Sequence, residues 1–390
     1  MTGLAKSTIA PDARLDRVLS FADLNAAIKA AGLDPDAASP IRMPAGAAEA
    51  TDSIALEERE LDALRILARP RRRLRVTTPG VLSCRIAHFF ASDDGAYVGC
   101  WREGQGLRLS APWSPSDFAN AAADIVDGGA PMPPDPFRAD LSLAGLYALG
   151  ALVDCLHAAE LSSLLARKGA AEMRLSEQDL LTQLALGSSA EDARWMVTLL
   201  RLTEPAGVKL PDAALVTGLR DLETAGLIQG GAGAFAPTDA ALRLAAYWSP
   251  PLPAIAHDLQ SFDDGGAVVR QRGLLAVGAG GPLFVVTLEG LRRPEPHAAI
   301  GSVMIDDYRA ILFRMLDAKE TPRPPKAAET PAPPRGRPGF ARPVAPRLPP
   351  NGSSARPAAR RCTNKKTWGA SLTGAVVAQR LVGDIDIAGE

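Results

Sequence analysis

Leu215-Val-Thr-Gly-Leu219-Arg-Asp-Leu222-Glu-Thr-Ala-Gly226-Leu227-Ile228-Gln-Gly230-Gly-Ala-Gly233-Ala-Phe235-Ala-Pro-Thr238-Asp239, running on to Pro251, is the stretch that decides the fold. Leu215, Val216, Leu219 and Leu222 recur at helical spacing. Gly226 stands where a helix C-cap belongs, with the apolar Leu227 after it. Gly230, Gly231 and Gly233 turn the chain, and Thr238 or Asp239 can N-cap a helix over Ala240–Ala246. The outline is a winged-helix unit: helix, Gly-Leu-Ile, short wing, helix.

Moving outward, Ser20–Gly32 and Leu56–Leu67 read as amphipathic helices, the second stopped by Arg69-Pro70. Between them, 34–53 is a loop punctuated by Pro35, Pro40 and Pro44. Leu74–Thr78, Leu82–Ala91, Ala96–Arg102 and Leu107–Ser110 are short and β-rich, and Asp94-Gly95 between two of them is a hairpin signal. Ser114 or Ser116 caps a helix over Asp117–Val126, and 128–138 is a Pro/Gly connector. Leu141–Ala166 is a long helix, apolar nearly all round and therefore central. Ser176-Glu-Gln-Asp179 has the pattern of a capping box opening a helix over Ser176–Leu186, and another helix spans Ala190–Leu202. Strands follow at Ala267–Arg272, Leu274–Val277 and Leu283–Leu288, and a helix over Gly301–Leu316 closes the fold.

The second strand block repeats the first. Arg85-Ile-Ala-His-Phe89 lies over Gln271-Arg-Gly-Leu274-Leu275, and Val98…Trp101 lies over Val285…Leu288 after a one-residue gap. Leu61–Pro70 resembles Leu242–Pro250, and Ala27–Leu33 ends Ala-Gly-Leu as Ala225–Leu227 does. These matches predict an α+β fold with antiparallel sheet in two pseudo-symmetric halves, flanked by helical bundles and carrying the winged-helix-like unit. The expected division is a flexible leader over 1–19, a first αβ half over 20–138, a helical middle over 139–205 and a second αβ half over 206–318. A basic, Pro-rich, disordered tail over 319–361 and a C-terminal segment over 362–390 (Trp368, Val376, Val377, Leu381, Val382) complete the chain.

Composition narrows the function. A length of 390 residues with 47% apolar content allows a sizeable core, and a formal net charge of −1 gives the folded part no bias toward nucleic acid or an acidic membrane. Four scattered cysteines without a CxxC pattern fit a reducing compartment. The start Met1-Thr-Gly-Leu-Ala-Lys6 has no signal-peptide pattern, and Leu141–Ala159, the longest apolar run, is broken by Asp154 and His157. The expectation is a cytoplasmic protein with no membrane span.

Chemistry is thinly represented. Cys84, His88 and Cys100 are the best metal candidates: a hairpin turning at Asp94 sets His88 opposite Cys100 with Cys84 on the same face, but a fourth ligand is missing. Cys155 and His157 stand two apart on a helix and cannot face each other. Gly278-Ala-Gly280-Gly281 has no following Lys-Ser/Thr and reads as a hairpin turn. Asp258, Asp263, Asp264, Asp306 and Asp307 read as turn or capping residues, and Arg69-Pro-Arg71-Arg72-Arg73 as a solvated basic corner. Accordingly no catalytic residue, cofactor, cofactor-binding residue or metal ligand is assigned, and no enzyme activity is expected. A winged-helix DNA-binding regulator is the alternative, yet Thr217 and Arg220 face Asp212, Asp221 and Glu223 in composition, and Gln229–Ala234 has no basic residue.

The order of these features resembles the type VII (ESX) secretion-associated chaperone family, EspG. The pattern is carried by Leu219-x-x-Leu222, Gly226-Leu227, Leu242–Pro251 and Arg270–Gly290, and again by Leu61–Pro70 and Arg85–Gly104, within residues 20–316. The resemblance implies a central antiparallel sheet of quasi-twofold symmetry and a cytosolic chaperone that caps a helical PE–PPE-type secretion substrate. The long helical stretch over 139–202 and the basic tail depart from that pattern, and no binding residue transfers.

Overall fold

The computed structural model describes residues 15–317 except 42–55, 81–83, 94, 105, 128–135, 168–172, 190–191, 206–214, 232, 249–252, 279–282 and 293–295. The expected tail over 319–361 and the segment 362–390 lie outside the described residues, as do the first fourteen residues of the expected leader.

Ten antiparallel strands form one sheet. The first half contributes β1 (Leu15–Ser20), α1 (Phe21–Ala30), α2 (Glu58–Ala68), β2 (Arg72–Pro79), β3 (Cys84–Ala91), β4 (Tyr97–Glu103), β5 (Gly106–Trp113) and α3 (Pro115–Val126). The second contributes β6 (Arg138–Ser142), α4 (Leu143–Ala166), α5 (Glu177–Ser189), α6 (Met196–Leu202), α7 (Leu215–Thr224), β7 (Ile228–Gly231), β8 (Ala234–Pro237), α8 (Asp239–Tyr247), β9 (Ala254–Phe262), β10 (Val268–Gly278), β11 (Leu283–Glu289), β12 (His297–Val303) and α9 (Ile305–Leu316). The order across the sheet is β1-β5-β4-β3-β2-β9-β10-β11-β12-β6. Each half therefore puts its first strand outermost beside its last, and the halves join through the antiparallel pair β2–β9, with Leu74 opposite Leu259 and Arg75 opposite Asp258.

The pairing register reproduces the sequence repeat. Laying Arg85 on Gln271 sets His88 over Leu274, and laying Trp101 on Leu288 sets Cys100 over Thr287. His88 does pair with Cys100, and Leu274 with Thr287. A one-residue error would have moved every side chain to the opposite face. The two Gly-Leu turns also match: Gly32 (φ 60°) and Gly226 (φ 68°) close α1 and α7 in the left-handed region. In each, the following leucine amide reaches back to a carbonyl five residues earlier, Leu33 to Ile28 (3.0 Å) and Leu227 to Leu222 (2.9 Å).

The sequence expectations need four corrections. Residues 15–19 are not leader but the bulk of edge strand β1. Residues 138–142 form β6, so the second half begins before its long helix rather than at 206. β9 carries no strand signal in the sequence, because His257, Asp258 and Gln260 interrupt its apolar pattern. β12 was read partly as helix because His297-Ala-Ala-Ile-Gly-Ser-Val303 is poor in strand-forming residues.

One face of the sheet packs α3 and α9 over Leu74, Val76, Phe89, Ile255, Leu259, Leu274, Ala276 and Val285. The other carries two bundles. α1 and α2 cover Phe90, Val98, Cys100, Leu107 and Leu109, while α4, α6 and α8 cover Ala256, Leu275, Val277, Phe284, Val286 and Leu288. Arg72 ties the halves: this buried guanidinium donates to the carbonyls of Leu316 (2.7 Å) and Ser92 (3.0 Å) and lies 5.5 Å from the Tyr97 ring centre. Of the expected solvated basic corner, Arg69 and Arg71 do stand at the surface, paired to the exposed Asp34 and Asp264, while Arg72 is buried and Arg73 bonds Gln260.

Candidate protein interface

Over its first fifteen residues α4 is apolar save for Asp154 and His157, and Leu143 through His157 are all buried. It is also the one helix among the described residues long and apolar enough to cross a membrane by length and composition. Here that length is used as a core helix. Asp221 of α7 accepts the amide (2.9 Å) and hydroxyl of Ser142, whose own oxygen caps the start of α4 at Gly145. At mid-helix, fully buried Asp154 accepts the amides of Met196 (2.6 Å) and Val197 (2.9 Å) and so seats α6. Burial pushes the Asp154 carboxyl up to about 7, with the two amides pulling the other way.

This placement has a pH consequence. The folded state holds the Asp154 proton up to about pH 7, whereas an unfolded aspartate releases it near 3.9. Its contribution to stability therefore falls as pH rises from about 4 to about 7. Asp154→Asn has no proton to lose, so its deficit against the parent should narrow by about 1–3 kcal/mol between pH 5 and pH 8 in urea unfolding. A deficit that widens with pH would show that the two amides hold the group as a carboxylate.

Beyond His157 no described element covers the helix. Leu161, Leu164 and Leu165 are 52%, 68% and 86% exposed on its last two turns, before Arg167 ends it with φ 51°. On α5, which packs against α4, Leu181 and Leu186 are exposed as well. Half of the ten exposed large apolar side chains among the described residues thus stand on these two helices. Scattered exposed leucines need no explanation, but a run on successive turns of one helix forms an apolar ridge. Glu160 flanks it on α4, and Glu177 and Asp179 open α5.

The ridge does not stand out in the sequence because apolar residues run nearly all round 141–166. The signal was available: Glu160, Ser162 and Ser163 break the all-round pattern and leave Leu161, Leu164 and Leu165 at amphipathic spacing.

The other candidates are brought together only in part. His88 does face Cys100, but burial lowers His88 to about 4, with Arg73 and Arg75 adding to the effect, and raises Cys100 to about 12. No group of three or more potential metal ligands occurs among the described residues. Purified protein should accordingly carry well under one zinc per chain by elemental analysis; one equivalent lost in His88→Ala would overturn this. Cys155 points to α5, its sulfur 3.8 Å from the Asp179 carbonyl, and His157 to α8, 2.8 Å from the Ala245 carbonyl. Burial raises Cys155 to about 12 as well.

Gly278 ends β10 and Leu283 opens the antiparallel β11, while 279–282 lie outside the described residues. Asp263 accepts Gly265 and Ala267 amides in a turn, Asp306 pairs with Arg309, and Asp307 stands in the first turn of α9. Asp258 departs from expectation. It is buried mid-strand on β9 and accepts from Gln271 (2.9 Å), within a polar seam that also holds Gln260 and Arg73 between the two bundles.

The winged-helix-like unit forms, with Leu175 and Phe235 exchanging backbone hydrogen bonds of 2.9 and 2.8 Å beside the wing. Its would-be reading helix is turned inward. Gly218 of α7 abuts α4, Leu222 is fully buried, and Asp221 is engaged at Ser142. Thr217 and Arg220 remain outward with Glu223, and no cation stands on the wing. That surface lacks the phosphate contacts that dominate DNA affinity.

No family model matches the chain, and no curated protein matches it. Among solved structures it is similar to the Mycobacterium tuberculosis type VII secretion system chaperone EspG5, solved in complex with PE25-PPE41 dimer. The TM-score is 0.40 at 10% identity, covering 78% of this chain and 96% of that chain. The likeness is a distant structural one.

Proposed function

We propose that this chain is a non-enzymatic protein-binding adaptor, acting in the cytoplasm as a chaperone for a helical secretion substrate of the type VII (ESX) system, of PE–PPE type. The observation that carries the reading is the leucine ridge of α4, Leu161, Leu164 and Leu165. Water-exposed leucines at successive helical turns suit the helix-packing mode of recognition, in which apolar anchors at i, i+3 and i+4 interdigitate with a partner helix. The sheet and its bundles supply a rigid base for it.

Co-purification of the full chain from native lysate after nuclease treatment tests this reading. A stoichiometric helical protein carrying an apolar stripe is expected. Recovery of no protein, with nuclease-sensitive retention on DNA at moderate salt, would overturn it in favour of the winged helix.

A further inference from the structure

We propose that residues 371–382 of this same chain dock on the leucine ridge and cover it until a partner displaces them; the proposal rests on reading the ridge as the docking face. Three observations lead there. First, the ridge presents Leu161, Leu164 and Leu165 to solvent, with Leu181 and Leu186 on the adjoining helix. Second, 73 residues follow Asp317, the C-cap of α9, and their apolar residues are concentrated late, at Leu372, Val376, Val377, Leu381 and Val382. Third, charge is divided unequally along the chain. Residues 1–318 hold 30 basic against 39 acidic side chains, and residues 319–390 hold 13 against 5. The near-neutral total therefore conceals an acidic fold joined to a basic extension, and the two attract each other at ordinary ionic strength.

Reach is sufficient. A flexible chain of 53 residues, the length of 318–370, has a reach of about 40 Å, and a fold of this size has a radius of gyration near 20 Å by chain-length scaling, so roughly 40 Å of reach suffices. Tethering gives an effective concentration of about 1 mM, so a contact with an intrinsic dissociation constant of about 0.1 mM closes in roughly nine molecules of ten. Such a strap weakens partner binding about tenfold and still yields to a tighter ligand.

The test is amide hydrogen exchange on the full chain, comparing wild type with the surface variant Leu161→Asp/Leu164→Asp/Leu165→Asp. The expected result is about tenfold slower exchange over Val376–Val382 in wild type, unchanged on dilution and lost in the variant. Unprotected exchange in wild type overturns the proposal, as does protection that survives the triple substitution. Protection that vanishes on dilution also overturns it and assigns the contact to a second copy. The variant's capture of a lysate protein is read separately. Capture lost with an unprotected segment removes the strap and leaves the docking face. Capture unchanged in the variant, with protection present in wild type and lost in the variant, keeps the strap and removes the partner from the ridge.

Discussion

Arg72→Met should destabilise the fold by about 2–4 kcal/mol, read as a lowered urea midpoint at unchanged m-value. Arg72 stands at the start of β2, yet its guanidinium serves the far end of the chain by closing the last carbonyl of α9 at Leu316. A cation at a helix C-terminus is favourable there, and the same fork satisfies Ser92. Methionine fills comparable volume but removes the charged donor from the buried Leu316 carbonyl and the half-buried Ser92 carbonyl. Replacing a buried ion with an apolar residue is often harmless, but in the cases where it is, the partner charge leaves too. Here the partners are backbone groups that stay. The Tyr97 hydroxyl still donates to Leu316 (3.2 Å), which keeps the cost below the full value of two charged hydrogen bonds. Arg72→Lys keeps the charge without the fork and should fall between. A change within 0.5 kcal/mol in Arg72→Met would mean that α9 is held by its apolar face alone.

Gly218→Ala is expected to cost about 3 kcal/mol, although Ala is the better helix former by about 1 kcal/mol. A Cβ at Gly218 would stand 2.6 Å from the Ala144 carbonyl oxygen and 2.9 Å from both its carbon and the Ala148 Cβ. Backbone of α4 cannot yield as a flexible side chain can, so α7 must move off and loosen the Asp221 clasp on Ser142. Gly226→Ala makes the contrast. Nothing lies within 4 Å of its Cβ position, and only the positive φ of 68° opposes it, so about 1 kcal/mol is expected. Equal costs at the two glycines would show that backbone conformation, and not the α4–α7 approach, governs both.

Strong local signals made much of the architecture legible in the sequence. Ser20, Ser114, Ser176 and Thr238 each cap the helix expected of them. The His88–Cys100 pairing followed from a single Asp-Gly turn, and the repeat was readable because β3 and β4 share spacing with β10 and β11. What stayed hidden was set by tertiary context. β9 is central, but its Asp258 and Gln260 are tolerated only because Gln271 and Arg73 meet them across neighbouring strands. β1 and β6 take their identity from β5 and β12, which lie 86 or more residues away along the chain. The ridge was hidden for the opposite reason. Leu161 and its neighbours look like core in sequence, and only the absence of a covering element among the described residues marks them as surface.

The measurement that bears most directly on the central claim sets the wild-type full chain beside Leu161→Asp/Leu164→Asp/Leu165→Asp in nuclease-treated native lysate. Substitutions at such exposed positions should leave the unfolding free energy within about 0.5 kcal/mol of wild type. Wild type should retain a helical protein at one equivalent, and the variant should retain less than about a hundredth of it, since three lost apolar anchors remove several kcal/mol of binding. Equal recovery by the two proteins, both folded, would place the binding surface elsewhere and contradict the account.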